Sequence, residues 1–298
     1  WWSRVNVETQ ADIAGNVYGG GEIGHVKRDT RVNLLGGHVG GSLYGAGRGL
    51  SGNEYKDYCN VDSTFVTLAG GQVDVDVYGG AQDGHVKGNT HVTVIGGTVG
   101  VGNTSQLNGN VFGGGQGSGQ EYYKDDGKGG TDTLFNIYAT CGRVGGNTTV
   151  NMTSGTLHGS IFGGGRLALT GVDDTGAFAG VTFGNTVITV SGGTIGTDNI
   201  DSLLRCDWSV GDIYGSGKGD IDYYNDVLAG RVTNAAITIS GNPVIRGSVF
   251  GGGEMASIGW WGDDGIFYDG TGAATVTING GTIGSAKEFT YVMPIHDT

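Results

Sequence analysis

The sequence predicts an all-β fold, a right-handed parallel β-helix (β-solenoid) of about seven to eight coils with variable loop insertions at one corner. Three observations carry this expectation: a degenerate repeat of roughly two dozen residues, aliphatic residues that alternate with polar ones, and 65 glycines against 2 prolines in 298 residues. Residues 1–298 read as a single β-solenoid domain and as a piece of a longer chain, because the repeat is already running where the sequence starts and stops.

The repeat has three parts. The first is aliphatic-aromatic-Gly-small-small, as in Val111-Phe112-Gly113-Gly114-Gly115, and its aromatic recurs as Tyr18, Tyr44, Tyr78, Phe112, Phe162, Tyr214 and Phe250. The second is an alternating strand with inward pairs Val32/Leu34, Val66/Leu68, Val92/Val94, Val150/Met152, Ile188/Val190, Ile237/Ile239 and Val276/Ile278. A glycine corner follows, then a third aliphatic: Val39, Val73, Val99, Leu157, Ile195, Val244 and Ile283. Val5 and Val7 mark a weaker, earlier copy. Alternation of period two without helical periodicity means strands, and repetition at this length means parallel strands stacked about 4.8 Å apart. A propeller blade needs about 40 residues, whereas the motifs at Tyr18 and Tyr44 are 26 apart.

Length variation is confined to the stretch after the motif glycines. Stacked repeats behave this way, since each unit touches only its neighbours and tolerates insertion only where the chain leaves the stack. The glycines then serve positive-φ corners and close approach of neighbouring coils. With the aliphatic before each ring inward, period two turns the motif aromatics outward unless the corner turns them in, and phenylalanine at three of the seven positions favours a covered structural ladder. The residue after each glycine motif is polar: Glu22, Arg48, Gln82, Gln116, Arg166, Lys218 and Glu254.

A net charge of −13 and a sequence pI near 4.6 oppose nucleic acid and anionic membranes as partners, and no run of Lys and Arg breaks that field. No apolar run is long enough to span a bilayer. Cys59, Cys141 and Cys206 are too scattered to form a disulfide framework, and one bridge or three inert thiols both fit.

Gly96 to Gly100 and Gly192 to Gly196, together with the aromatic-glycine motifs, resemble the Gly-rich β-solenoid repeats of large secreted and cell-surface bacterial proteins, in the style of Bacteroidetes adhesins. The resemblance covers nearly the whole chain and is one of repeat style. It implies secretion or surface display, with adhesion or carbohydrate binding. Apart from structural calcium, no cofactor is expected.

The insertions collect aromatic and acidic residues that the framework lacks. Candidate ligand-binding residues are Tyr55, Tyr58, Tyr122, Tyr123, Asp125, Asp126, Tyr223, Tyr224, Trp260, Trp261, Asp263, Asp264 and Tyr268. Flat rings stack on sugar faces and carboxylates accept hydroxyl hydrogen bonds, so a glycan or a host or cell-surface protein is the expected partner. The bland alternative is that the rings cover the glycine corner and the acids keep the loops solvated. Asp220 and Asp222, in a segment that faintly matches a calcium-binding nonapeptide, are the candidates for structural calcium. The framework contains nothing that points to catalysis. A polysaccharide lyase or hydrolase using Asp125, Asp126, Asp263 or Asp264 is one alternative function, and a structural spacer or end-to-end assembling filament subunit is another. Gly24-His25-Val26-Lys27 and Gly84-His85-Val86-Lys87 are a duplicated element whose histidines lie too far apart to share a zinc ion unaided. The outward strand residues Asn33, Thr67, Thr93, Asn151, Thr189, Thr238 and Thr277 suggest an ice-ordering array, which the irregular neighbours Arg31, Phe65 and His91 disrupt.

Overall fold

A computed structural model describes residues 2–55, 58–101, 108–125, 127, 130–172, 182–197, 210–223, 228–260 and 269–284. These residues are β-structure joined by turns, with short 3-10 segments at Asn53–Tyr55 and Ile221–Tyr223. The strands fall into columns. The main column runs Ser3–Val7, Thr30–Leu34, Thr64–Leu68, Thr90–Val99, Thr148–Leu157, Thr186–Val190, Ala235–Ile239 and Ala274–Ile278, each parallel to the next. A seven-stranded parallel column holds the aromatic motifs, from Val17–Tyr18 to Val249–Phe250. Between them lie two-residue strands such as His38–Val39 and Gln72–Val73, also parallel.

Register follows the repeat. Val66 lies beside Val32 and Val92, and Val5 beside Val32, so the weak first copy pairs like the others. One position differs from expectation: Val244 pairs with Thr194 and is half-buried, while Ile245 takes the inward site beside Ile195. The turn Gly241-Asn242-Pro243 carries one residue more than Gly192-Gly193, and a single extra residue reverses which side chain faces in.

The inward aliphatics form one continuous core from Val7 to Ile245. Its wall is tied across by the threonines that start five of the eight main strands, which donate to the first glycine carbonyl of the motif in the same unit: Thr30 to Gly45, Thr64 to Gly79, Thr90 to Gly113, Thr148 to Gly163 and Thr186 to Gly215. Those carbonyls explain the glycines. A Cβ on Gly45 would lie 2.1 Å from the Gly79 oxygen, and one on Gly79 would lie 2.3 Å from the Gly113 oxygen. At the corner after the main strand the need is conformational, with φ of +72° at Gly37 and +74° at Gly71.

Side chains also link unit to unit. Two residues before each motif aromatic, the backbone N–H donates to the side chain of its counterpart one unit earlier: Ser42 to Asn16 at 2.8 Å, Asn110 to Asp76 at 2.8 Å and Ser160 to Asn110 at 2.9 Å. A second ladder does the same before the main strand, from Asn147 to Asn89 at 2.8 Å and from Asn185 to Asn147 at 2.9 Å.

The motif aromatics stack in register from Tyr18 to Phe250, with ring centroids 4.7 to 4.9 Å apart. They form a cluster of their own outside the aliphatic core, and Tyr44, Tyr78, Phe112, Phe162 and Tyr214 are all buried. The cover comes from the polar residues after the glycine motifs. Tyr18 donates to Gln82 at 2.6 Å, Tyr44 donates to Gln116, and the Lys218 ammonium lies 5.5 Å over the Phe162 ring. Burial accordingly raises the phenols of Tyr44 and Tyr78 well above their ordinary range.

The close approach at the first motif glycine yields a direct test. Gly79→Ala is expected to lower stability by about 2–3 kcal/mol, because backbone must move to admit the methyl group. Gly252→Ala, whose Cβ would meet nothing within 4 Å, is the control and should stay within about 0.5 kcal/mol. Urea unfolding midpoints of the two variants check this.

Candidate functional site

The insertions that hold Asn53–Tyr55, the Gly119–Ile137 hairpin and Ile221–Tyr223 leave the stack between the aromatic motif and the next inward valine, and the structure brings several of them together. The expectation that length varies at one corner only is corrected, because the chain is also lengthened before the motif, from Val99 to Val111 and from Ile195 to Ile213, where Val39 to Leu43 needs four residues. Ser51 hydrogen-bonds Ser118 at 2.6 Å, and Ser118 in turn donates to Asp83 at 2.7 Å. Thr140 donates its hydroxyl to Asn53 at 3.2 Å. The insertion at Asn53–Tyr55 is thus braced on the one that carries an antiparallel hairpin, Gly119–Asp125 against Thr131–Ile137.

Beneath the hairpin lies a further apolar cluster that the sequence does not reveal: Ile137, Leu167, Leu169, Ala229 and Trp260, with Tyr223 and Leu228 packed against it. Trp260 is 1% exposed. Its indole N–H donates to Thr233 at 2.8 Å, and the Arg231 guanidinium lies 5.2 Å from its ring. As a ligand-facing residue Trp260 is therefore corrected: it is a core residue of the insertion side. Tyr223 is half-buried, its ring 5.6 Å from that of Phe135, and belongs to the same packing.

The remaining candidates divide. Tyr123 is 67% exposed near the hairpin tip, where Glu121 accepts its hydroxyl and raises its pKa. Tyr58 is 49% exposed, its ring edge-on to Tyr55 at 6.1 Å. Tyr55 and Tyr122 are half-buried. Asp126, Tyr224, Trp261, Asp263, Asp264 and Tyr268, and the side chain of Asp125, lie outside the described residues. The acids put forward for catalysis are all among them.

Asp220 and Asp222 are described. Asp220 accepts the Asp222 backbone N–H at 3.3 Å and adds its charge to the field at Arg166, so its carboxylate already has polar company. Among the described residues no group of three or more His, Cys, Asp or Glu is placed to hold a metal ion. Cys59 and Cys141 are buried free thiols, each pushed up in pKa by burial, and Cys206 lies outside the described residues.

Two charged arrangements emerge only in three dimensions. A groove of about 430 Å³ is lined by His25, Val26, Lys27, Asn60, Asp62 and Lys87, which brings two lysines distant in sequence to either side of one aspartate. On the main sheet, Arg31 lies 4.6 Å over Phe65, which stacks at 5.0 Å on His91. These residues, which break the threonine array, make a cation-aromatic column of their own.

His38 bridges two units, with Nδ1 2.8 Å from Asp12 and Nε2 2.9 Å from Asp74. Both ring nitrogens are thereby engaged with carboxylates.

No family model matches the chain, and no match is found among curated proteins or solved structures. No helix among the described residues is long and apolar enough to cross a membrane.

Two outcomes are expected. Trp260→Ala should cost about 3–5 kcal/mol and Tyr123→Ala less than about 0.5 kcal/mol, read from chemical denaturation. The hydrogen bonds to Asp74 and then Asp12 raise the His38 pKa above 6.5. A raised folded-state pKa gives a stabilisation that is complete below 6.5 and is lost as pH rises through the folded value. The stability difference between the protein and its His38→Gln variant should therefore shrink as pH rises from below 6.5 to above the folded value, measured by urea midpoints across that range.

Proposed function

We propose that the chain is a right-handed parallel β-helix of about seven to eight coils, secreted or displayed at a cell surface, that binds glycans or surface proteins through its insertion side. The observation that carries this reading is the contrast between Trp260, which the insertion core consumes, and Tyr58 and Tyr123, which it leaves exposed. Neither tyrosine is needed to close the core, yet both stand on segments built into the fold. Tyr123 sits on a paired hairpin strand, and Tyr58 follows the Asn53–Tyr55 turn that is tied to Ser118 and Thr140 through Ser51 and Asn53.

A ring held in place loses little freedom when a ligand arrives, so more of the stacking energy appears as affinity. Sugars offer flat C–H faces for such rings and hydroxyls for nearby carboxylates such as Glu121. The style of the repeat, which resembles that of surface-displayed bacterial proteins, supports the same setting.

A glycan array and pull-downs from cell-surface extracts test the reading. The expected result is a defined glycan or protein ligand whose affinity falls at least about tenfold, near 1.4 kcal/mol, in Tyr58→Ala/Tyr123→Ala. A ligand held equally well by that variant, or no ligand in either assay, overturns the reading.

A further inference from the structure

We infer that the groove between Lys27 and Lys87 is an anion-binding site for a polysaccharide that carries carboxylate or sulfate groups on alternate sugars. The groove is made by the duplicated Gly-His-Val-Lys element and the unit between its two copies. Val26 bridges Val61, and Val61 pairs with Val86, all three in parallel. Val61 and Val86 are buried in a small apolar cluster with Ala46, Ala81 and Val144, and Val26 packs against it. Alternation then sends Lys27, Asp62 and Lys87 outward on three successive units, and all three are exposed.

The order of charges is positive, negative, positive. Neither lysine makes an ion pair among the described residues, so Asp62 does not quench them by contact. Two units of about 4.8 Å put the lysine positions roughly 10 Å apart, the span of a disaccharide. A single anion placed centrally would meet the Asp62 carboxylate. Two anions flanking Asp62 would each meet an ammonium, and a hydroxyl on the sugar between them would find an acceptor. His25 adds a donor, since its Nδ1 accepts the Asn60 N–H at 3.1 Å and a neutral ring then carries its proton on Nε2.

The local charge contrasts with the chain as a whole. Arg28 and Arg31, both exposed, continue the positive surface along the first of these units, on a protein of net charge −13. A long nucleic acid would meet that overall field along its whole backbone, whereas a polysaccharide of half the linear charge density meets the groove with less opposition.

The test uses the full chain with four probes: hyaluronan oligosaccharides, which bear a carboxylate on alternate sugars; polygalacturonate, with one on every sugar; neutral dextran; and oligothymidylate. Titration calorimetry should show hyaluronan bound, with an affinity that falls as salt rises and at least about tenfold in Lys27→Ala/Lys87→Ala. Dextran should not bind. Asp62→Asn should strengthen polygalacturonate more than hyaluronan, because it removes the charge facing the middle sugar. Both lysines are exposed, so an unchanged melting temperature accompanies loss of binding. Failure of hyaluronan to bind, equal binding by the lysine variant, or tighter binding of oligothymidylate overturns the inference. Tyr123→Ala, which lies on the hairpin, should leave hyaluronan affinity unchanged, so this result stands apart from that of the insertion side.

Discussion

The structure depends on how closely one unit can lie on the next. At the first glycine of six of the seven aromatic motifs, from Gly19 to Gly215, the chain passes over the carbonyl of the unit above, leaving no room for a Cβ. That same carbonyl receives the threonine hydroxyl from across the core, as Gly79 does from Thr64. The contact therefore fixes both the spacing along the stack and the width across it. The rings directly before these glycines inherit that spacing, and their stacking distance of 4.7 to 4.9 Å is the strand separation expressed in side chains.

Once the spacing is fixed, a side chain on the framework has little choice of environment. After the motifs, Gln82, Gln116 and Lys218 fold over the ring ladder, while Glu22 and Arg48 pair with each other at the surface. On the reading proposed above, binding is left to places where the chain departs from strict repetition. The insertions do so by length, and the Lys27–Asp62–Lys87 series does so by a change of charge at a constant backbone position. The first kind makes a shaped surface that needs its own small core. The second borrows the scaffold without altering it.

Much of this was legible in the sequence because period two and a glycine corner are local signals. Val66/Leu68 and Val73 lie where alternation puts them, and the covered aromatic ladder follows from phenylalanine standing where tyrosine stands elsewhere. The exceptions have physical causes. Val244 sits one residue off the inward register because Asn242-Pro243 lengthens the turn, and alternation cannot survive an added residue. Trp260 reads as a loop aromatic beside acids, yet its burial depends on Ile137, Leu167 and Leu169, which come from other insertions. Lys27 and Lys87 are separated by a whole intervening unit, so contiguous charge gives no sign of them; only alignment of the duplicated element does. The Asn89, Asn147 and Asn185 ladder was within reach of the same alignment, as a recurring Asn-Thr before the main strand, but a polar pair at the surface gives no sign that it ties one unit to the next.

The side-chain ladders all run one way. Each unit offers an oxygen from Asn, Asp or Ser, and the following unit supplies the backbone N–H that meets it, as Asn110 does for Asp76 and Asn147 does for Asn89. Every junction is thus the same joint, with a socket on one side and a plug on the other. A gene that encodes such a chain can gain or lose a unit without redesigning its neighbours, provided the break falls at the same point in both. The surfaces riding on the stack would then change their separation in fixed steps of one strand spacing.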